Sequence, residues 1–333
     1  MGILTIGGRD VEVTHLEKVF FPQARITKGD LIEYYIRMSP YILPYLKDRP
    51  FTMVPYPHGV EGKSFYQKQR PENAPEWIKG VKVPSEKRGH IDYCLINDIP
   101  SLVYMVNKAC IEMHGWFSRA PELDKPDVAI FDLDPSGNTG FRDAAAAARL
   151  IQVMLDEYGL TAIPKTSGMT GLHIVIPIRP TPFSEVQDFL KAICRVVEKA
   201  EPARFTTERT VAKRGDRVYL DAIQNARGKT IPSPYSVRPS AKATVSAPLT
   251  WEEVHDDSLT PERFTMKNIE ERVREMGDLF APVYTLRQAL PAGLPSGDTG
   301  RGAEAGAGAE GAASPAYAPP SSPPTYGASP SDR

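Results

Sequence analysis

An α/β fold with a largely antiparallel sheet is the architecture this sequence predicts, and three observations carry it. From residue 127 to residue 223 the patterning runs strand, helix, two strands, helix, strand, an order that layers helices on a sheet. The strand candidates are short runs of Val, Ile, Leu and Phe, whereas the helical candidates repeat apolar residues every three or four positions. With 333 residues, 41% hydrophobic and 24% charged, the chain can bury one large core or two adjoining ones.

The elements follow in order. Thr27 caps a helical period through Leu31, Ile32, Tyr34, Tyr35, Met38, Ile42, Leu43 and Leu46, and Pro40 and Pro44 predict one kinked helix or two short ones. Residues 51–98, rich in Pro, Gly and aromatics, predict short extended pieces, among them residues 91–96. Ser101 is expected to open a helix through Leu102, Val103, Met105, Val106, Ala109, Cys110 and Met113, ending at His114-Gly115. Val128-Ala129-Ile130-Phe131 starts a strand that leads into Asp132-Leu133-Asp134-Pro135. An alanine-rich helix over residues 141–158 comes next, then strands at residues 161–165 and 172–178 joined by the glycine loop Ser167-Gly168-Met169-Thr170-Gly171. Phe183, Val186, Phe189, Leu190, Ile193, Val196 and Val197 give a helix of about five turns. A further strand at residues 217–223 and short helices at residues 251–254 and 269–276 close the ordered part.

From Leu290 to Arg333 the composition changes, with 32 of 44 residues Gly, Ala, Pro or Ser. Such a segment cannot offset its ordering entropy by burial, so residues 1–289 are expected to form the folded domain and residues 290–333 a disordered tail. Cys94, Cys110 and Cys194 are isolated within apolar stretches and predict buried free thiols rather than a disulfide framework or zinc site. No apolar run reaches membrane-span length and no signal-peptide profile is present, which predicts a cytoplasmic protein without a membrane partner. The net charge of −1 conceals a cluster between Arg204 and Lys242, where nine Lys or Arg face Glu208, Asp216 and Asp221. That excess suits a polyanion-facing surface as well as a solvated face.

Asp132 and Asp134 carry the first chemical signal. Side chains at i and i+2 of a strand point to one face, so these carboxylates project together and repel unless a cation or shared proton lies between them. A pair of Mg²⁺ or Mn²⁺ ions answers that need, and a solvated strand end with two ordinary aspartates is the plain alternative. Asp221 interrupts the apolar run Val218-Tyr219-Leu220-Asp221-Ala222 and calls for a partner, either an ion shared with the first two acids or a neighbouring basic residue. In the glycine loop, backbone N–H groups can approach phosphate oxygens, with Ser167 and His173 as side-chain donors, although a tight turn and a core histidine are the ordinary readings.

Taken together, Asp132-Leu-Asp134-Pro135, Ser167-Gly-x-x-Gly-Leu-His173, Tyr219-Leu220-Asp221 and Pro234-Tyr235-Ser236-Val237-Arg238 resemble the motifs of the archaeo-eukaryotic primase superfamily, in the branch of the polymerase domain of bacterial ligase D. Glu17-Lys18-Val19-Phe20-Phe21-Pro22, Thr27-Lys28, Phe65-Tyr66-Gln67-Lys68-Gln69 and Glu112-Met113-His114 extend the resemblance across nearly all of the ordered chain. It implies a primase-like core of two intimate lobes with the metal site in the cleft between them. It also implies a template-directed nucleotidyltransferase acting at DNA gaps or ends in non-homologous end joining or repair. Asp132, Asp134 and Asp221 would then hold two Mn²⁺ or Mg²⁺ ions. Ser167, Gly168, Thr170, His173 and Arg238 would bind the NTP or dNTP, with His114 near its sugar. Lys18 and Lys28 would grip a DNA 5′-phosphate, Tyr66 would stack on a template base, and Lys68, Arg214 and Lys229 would face primer or template phosphates. A Ku-type protein and a separate DNA ligase are the implied partners, in a bacterial-type, nucleoid-associated setting. Two departures stand out. Thr170 takes the place of a lysine common in that loop, and Thr52-Met53-Val54-Pro55-Tyr56-Pro57 lacks basic residues found there in some relatives.

Two rival readings compete with this one. A haloacid-dehalogenase-type phosphatase would use Asp132 as covalent nucleophile and Asp134 as general acid, but it gives Asp221 no role and meets Pro135 where glycine is favoured. A DNA-end-binding module without catalysis is the other, and the presence of all three acids weighs against it.

Overall fold

The computed structural model describes residues 2–291, so the expected tail lies outside the described residues from residue 292 onward. The chain opens with a hairpin of β1 (Gly2–Ile6) and β2 (Arg9–Val13), turned at Gly7-Gly8, both with positive φ. Short strands β3 (Val19–Phe21) and β4 (Ile26–Thr27) precede helix α1 (Lys28–Leu46). Thr27 caps α1 with a reciprocal box: its Oγ1 accepts from Asp30 N at 3.2 Å while Asp30 Oδ2 accepts from Thr27 N at 2.8 Å. Both prolines lie inside this single helix. At Pro40, which has no N–H to offer Ile36, the Ser39 hydroxyl donates to the Ile36 carbonyl instead, at 2.8 Å.

Strands β5 (Pro50–Pro55), β6 (Gly80–Ser85) and β7 (Gly89–Leu95) follow, then α2 (Ile99–Asn107) and β8 (Cys110–Gly115). The helix expected to run from Ser101 to His114 therefore stops at Asn107, and its second half is a strand. Ala109 takes a left-handed φ of 66°, which breaks the helix, and the apolar residues after it pair with β5 with every residue of β8 buried. The cap is Asp98, whose carboxylate accepts from Ser101 N at 2.9 Å. These strands form a four-stranded antiparallel sheet in the order β6-β7-β5-β8.

The second sheet comes from β9 (Val128–Pro135), α3 (Phe141–Glu157), β10 (Ile163–Thr166), β11 (Leu172–Pro177), α4 (Phe183–Ala200), β12 (Phe205–Thr206), α5 (Val211–Arg214) and β13 (Val218–Asp221). Its order is β10-β11-β9-β13-β12, antiparallel except for the short β12–β13 pair, with β9 in the centre. Helix α3 buries Ala144 through Ala148 with Ile151 and Leu155, and α4 buries Val186, Phe189, Leu190, Ile193 and Val197. Helices α6 (Trp251–His255), α7 (Ile269–Met276) and α8 (Pro282–Thr285) complete the described chain. Residues of both sheets belong to one buried apolar cluster, so the two sheets are intimate lobes of one core. Cys94, Cys110 and Cys194 are free and buried, as expected. No helix among the described residues is long and apolar enough to cross a membrane.

Candidate active site

Strand register assembles the site. Asp221 on β13 is paired directly with Asp132 on β9, His173 on β11 is paired with Asp132 from the other side, and Lys165 on β10 is paired with His173. Directly opposed residues share a face, so Lys165, His173, Asp132 and Asp221 form one row across four strands. Asp134 lies on the same face, two residues farther along β9. Gly171 borders it, and a Cβ there would come within 2.5 Å of the Leu133 carbonyl and 3.4 Å of Asp134 Oδ1.

The acids press on one another. Burial pushes Asp134 up to about 7, and the charges of Asp132 and Asp221 add to it. Burial likewise pushes Asp132 up to about 6, against the pull of Lys165, Arg238 and Arg214, and Asp221 is raised by burial and by Asp132. Asp132 Oδ1 lies 3.2 Å from His173 Nε2, and Asp221 accepts the Gln224 backbone N–H at 2.9 Å. Among the described residues, no Lys or Arg forms an ion pair with Asp134 or Asp221. Arg214 instead stacks 3.7 Å from the Tyr219 ring centre and donates to the Glu208 and Arg209 carbonyls. Three carboxylates with no Lys or Arg paired to them among the described residues are a hard, all-oxygen donor set of the kind Mg²⁺ and Mn²⁺ take. Among the described residues no such set already surrounds one point, so joint ligation calls for rotation about the aspartate side-chain bonds.

The glycine loop stands beside these acids. Ser167 Oγ accepts the N–H groups of Met169 at 3.1 Å and Gly171 at 3.0 Å, leaving its own hydrogen to donate. Gly168 has a φ of +76°, and a Cβ there would lie 2.5 Å from Arg238 Cγ, so only glycine lets the arginine pass. Arg238 Nη1 donates to the Ser167 carbonyl at 2.6 Å, and its Nε lies 2.9 Å from Glu112 Oε2. Glu112 also accepts from the Tyr56 hydroxyl at 2.6 Å and stands 3.5 Å from His114 Nε2. Burial would raise Glu112, but His114, Arg238 and Tyr56 outweigh it and hold the carboxylate at about 2. Burial lowers both His114 and His173, keeping the rings neutral. Strand β8 thus carries His114 and Glu112 from the first sheet to the loop of the second. Thr170 is exposed at the loop tip.

The remaining basic residues fall into other groups. Lys18 and Lys28 come together near the N-terminus: Lys28 N donates to the Lys18 carbonyl, and burial, then Lys18 and Lys108, lower the Lys28 ammonium to about 8. Tyr66 is 68% exposed and meets the His114 ring edge-on at 6.1 Å, while Lys68 and Lys229 are exposed. Two site residues escaped sequence reasoning. Glu112 was noted only within its motif, although an acid inside the apolar run from Cys110 to Met113 is a signal of the same kind as Asp221. Lys165 ends the strand expected at residues 161–165 and carries no local signal, yet it is 1% exposed.

Facing acids at the centre of an antiparallel sheet, beside a glycine loop and a half-buried arginine, match the layout of a nucleotidyltransferase-type site. The family model described as "LigD, primase-polymerase domain" matches residues 27–280, and the chain belongs to that family. It is 36% identical to the bifunctional non-homologous end joining protein LigD of Bacillus subtilis, over 84% of this chain and 45% of that protein. It is 30% identical to the multifunctional non-homologous end joining protein LigD of Mycolicibacterium smegmatis, over 82% of this chain and 36% of that one. The chain thus spans less than half the length of these relatives. Among solved structures, the polymerase domain from Mycobacterium tuberculosis ligase D in complex with DNA superimposes with a TM-score of 0.77 at 30% identity, covering 82% of this chain and 98% of that one. The phosphatase reading gave Asp221 no role; its place opposite Asp132, together with the family match, decides against it.

Proposed function

We propose that residues 1–289 are a template-directed primase-polymerase domain that adds nucleotides to a primer 3′-hydroxyl at DNA gaps or ends, in end joining or repair. The pairing of Asp221 with Asp132, beside Asp134, is the observation that carries this proposal. Asp132, Asp134 and Asp221 would hold a pair of Mn²⁺ or Mg²⁺ ions, which supply activation of the attacking hydroxyl and neutralisation of phosphate charge. Arg238, fixed by Glu112 and the Ser167 carbonyl, keeps guanidinium hydrogens for phosphate oxygens of the NTP or dNTP. The Ser167 hydroxyl, the backbone at Gly168 and Thr170, and His173 would join it on the triphosphate, with His114 toward the sugar.

The DNA would be held by residues outside this pocket. Lys18 and Lys28 would take a 5′-phosphate, and Tyr66, with most of its ring free, would stack on a template base. Arg214, Lys68 and Lys229 would face primer or template phosphates, giving binding that weakens as salt rises. Sealing would fall to a DNA ligase and end recruitment to a Ku-type protein, at the nucleoid in the cytoplasm.

The test is primer extension on a gapped duplex with and without a 5′-phosphate, comparing NTP with dNTP under Mn²⁺ and Mg²⁺. Templated incorporation, stimulated by the 5′-phosphate and abolished in Asp132→Ala while DNA binding persists, is the expected outcome. Absent or template-independent incorporation by the unmodified protein would overturn the proposal. An unaltered function of Asp132→Ala would favour the binding module.

A further inference from the structure

Lys165 is the member of the four-strand row to which the proposed reaction gives no task. Its side chain is almost wholly buried, and its Nζ meets three atoms: the Pro232 carbonyl at 3.0 Å, Ser246 Oγ at 2.6 Å and His173 Nδ1 at 2.8 Å. The carbonyl can only accept. Ser246 Oγ commits its own hydrogen to the Thr166 carbonyl at 2.7 Å and so turns a lone pair to the lysine. An ammonium has three hydrogens and no lone pair, and its third hydrogen is left for Nδ1 of His173. Nδ1 must then be unprotonated, and the hydrogen of the neutral imidazole resides on Nε2, the atom 3.2 Å from Asp132 Oδ1.

We propose that Lys165 is a positioning residue for nucleotide binding, locking His173 as the Nε2–H tautomer so that the ring offers a donor, not a lone pair, to the acid cluster and the incoming phosphates. The proposal rests on the polymerase reading of this site. The opposite tautomer would aim a lone pair at a carboxylate and at an anionic ligand, which is repulsive in a buried pocket. Burial, then Arg238, lower the Lys165 ammonium well below its ordinary value while Asp132 opposes them. Independently of that charge, the Asp132 carboxylate facing Nε2 can only accept, which places the imidazole hydrogen there and leaves Nδ1 as an acceptor for Nζ.

Two-bond ¹H–¹⁵N spectra of the full chain labelled at its six histidines distinguish the tautomers directly, with His173→Gln used to assign the signal. The unmodified protein is expected to show His173 as Nε2–H, and Lys165→Met, which keeps length and removes the donor, is expected to mix or invert the tautomers. In the same variant, binding of a non-hydrolysable fluorescent NTP is expected to weaken ~10-fold or more, with KM rising further than kcat falls. An Nδ1–H signal in the unmodified protein overturns the proposal without recourse to any variant. A Lys165→Met protein with altered tautomer and unchanged nucleotide affinity overturns the Lys165 role alone. Failure of the unmodified protein to bind nucleotide, its Nε2–H signal intact, overturns the polymerase reading and the nucleotide role of Lys165 with it.

Discussion

The buried Glu112 on β8 and the half-buried Arg238, two residues far apart in sequence, form an ion pair with Oε2 and Nε 2.9 Å apart. The contact with the carboxylate is ionic, since Arg238 Nε makes no hydrogen bond, and orientation comes from Nη1, which donates to the Ser167 carbonyl. Removing the charge in Glu112→Gln leaves the half-buried guanidinium without its ion-pair partner, which costs at most the about 3–5 kcal/mol seen where fully buried pairs are broken. The variant should melt earlier and show a raised nucleotide KM with a smaller change in kcat, read by thermal unfolding and steady-state extension. Because Glu112 is held at about 2, below its usual 4.5, its contribution is present above pH ~4.5 and is lost as pH falls toward 2.

Asp132, Asp134 and Asp221 give the opposite sign. Their folded-state values lie above the ordinary 3.8, at about 6 and about 7 for the first two, so the folded protein holds more protons than the unfolded chain between those limits. Metal-free protein should therefore lose stability as pH rises from about 4 through about 7, and added Mn²⁺ or Mg²⁺ should restore it. Asp134→Asn should raise the metal-free Tm at pH 8 and abolish extension. A Tm independent of pH over this window would contradict the electrostatic account.

Thr170 offers a gain of function. The side chain is exposed at the loop tip, so Thr170→Lys should leave Tm within about 1 °C, in line with the small effect of surface substitutions. It should tighten nucleotide binding by a few-fold at low salt, and the gain should fade as ionic strength rises. Titration with NTP at two salt concentrations measures it.

Tyr66 separates template binding from folding. Base stacking on an aromatic contributes about 1–3 kcal/mol per base, so Tyr66→Ala should weaken binding to a gapped template roughly 5- to 100-fold. Since 68% of the residue is exposed, unfolding by heat should be unchanged. Fluorescence anisotropy with labelled DNA decides between stacking and an idle surface ring.

Much of the second sheet could be read from the chain because its signals are local. The apolar run before Asp132, the alanine-rich helix and the period of α4 each need only neighbouring residues. The first sheet was far less legible. Its strands carry proline, glycine and polar residues and are held by pairing with distant segments, as β5 is with β8. Cys110 through Met113 fit a helical period by accident, and only the left-handed turn at Ala109 and the waiting edge of β5 decide for a strand. Within the site, the three acids and the glycine loop were legible because each violates its surroundings. Glu112 violates its apolar run in the same way, whereas Lys165 was not legible, since what makes it unusual is the company tertiary folding gives it.

Because the Lys165-to-Asp221 row runs perpendicular to its strands, its chemistry is written in hydrogen-bond register and not in loop shape. A one-residue insertion inside β9 would turn Asp132 to the opposite side of the sheet, whereas the turn at residues 136–140 carries no member of the row. Length changes should thus be tolerated in the turn at residues 136–140 and rejected within these strands, a pattern of permitted and forbidden indels that a library of single-codon insertions would expose.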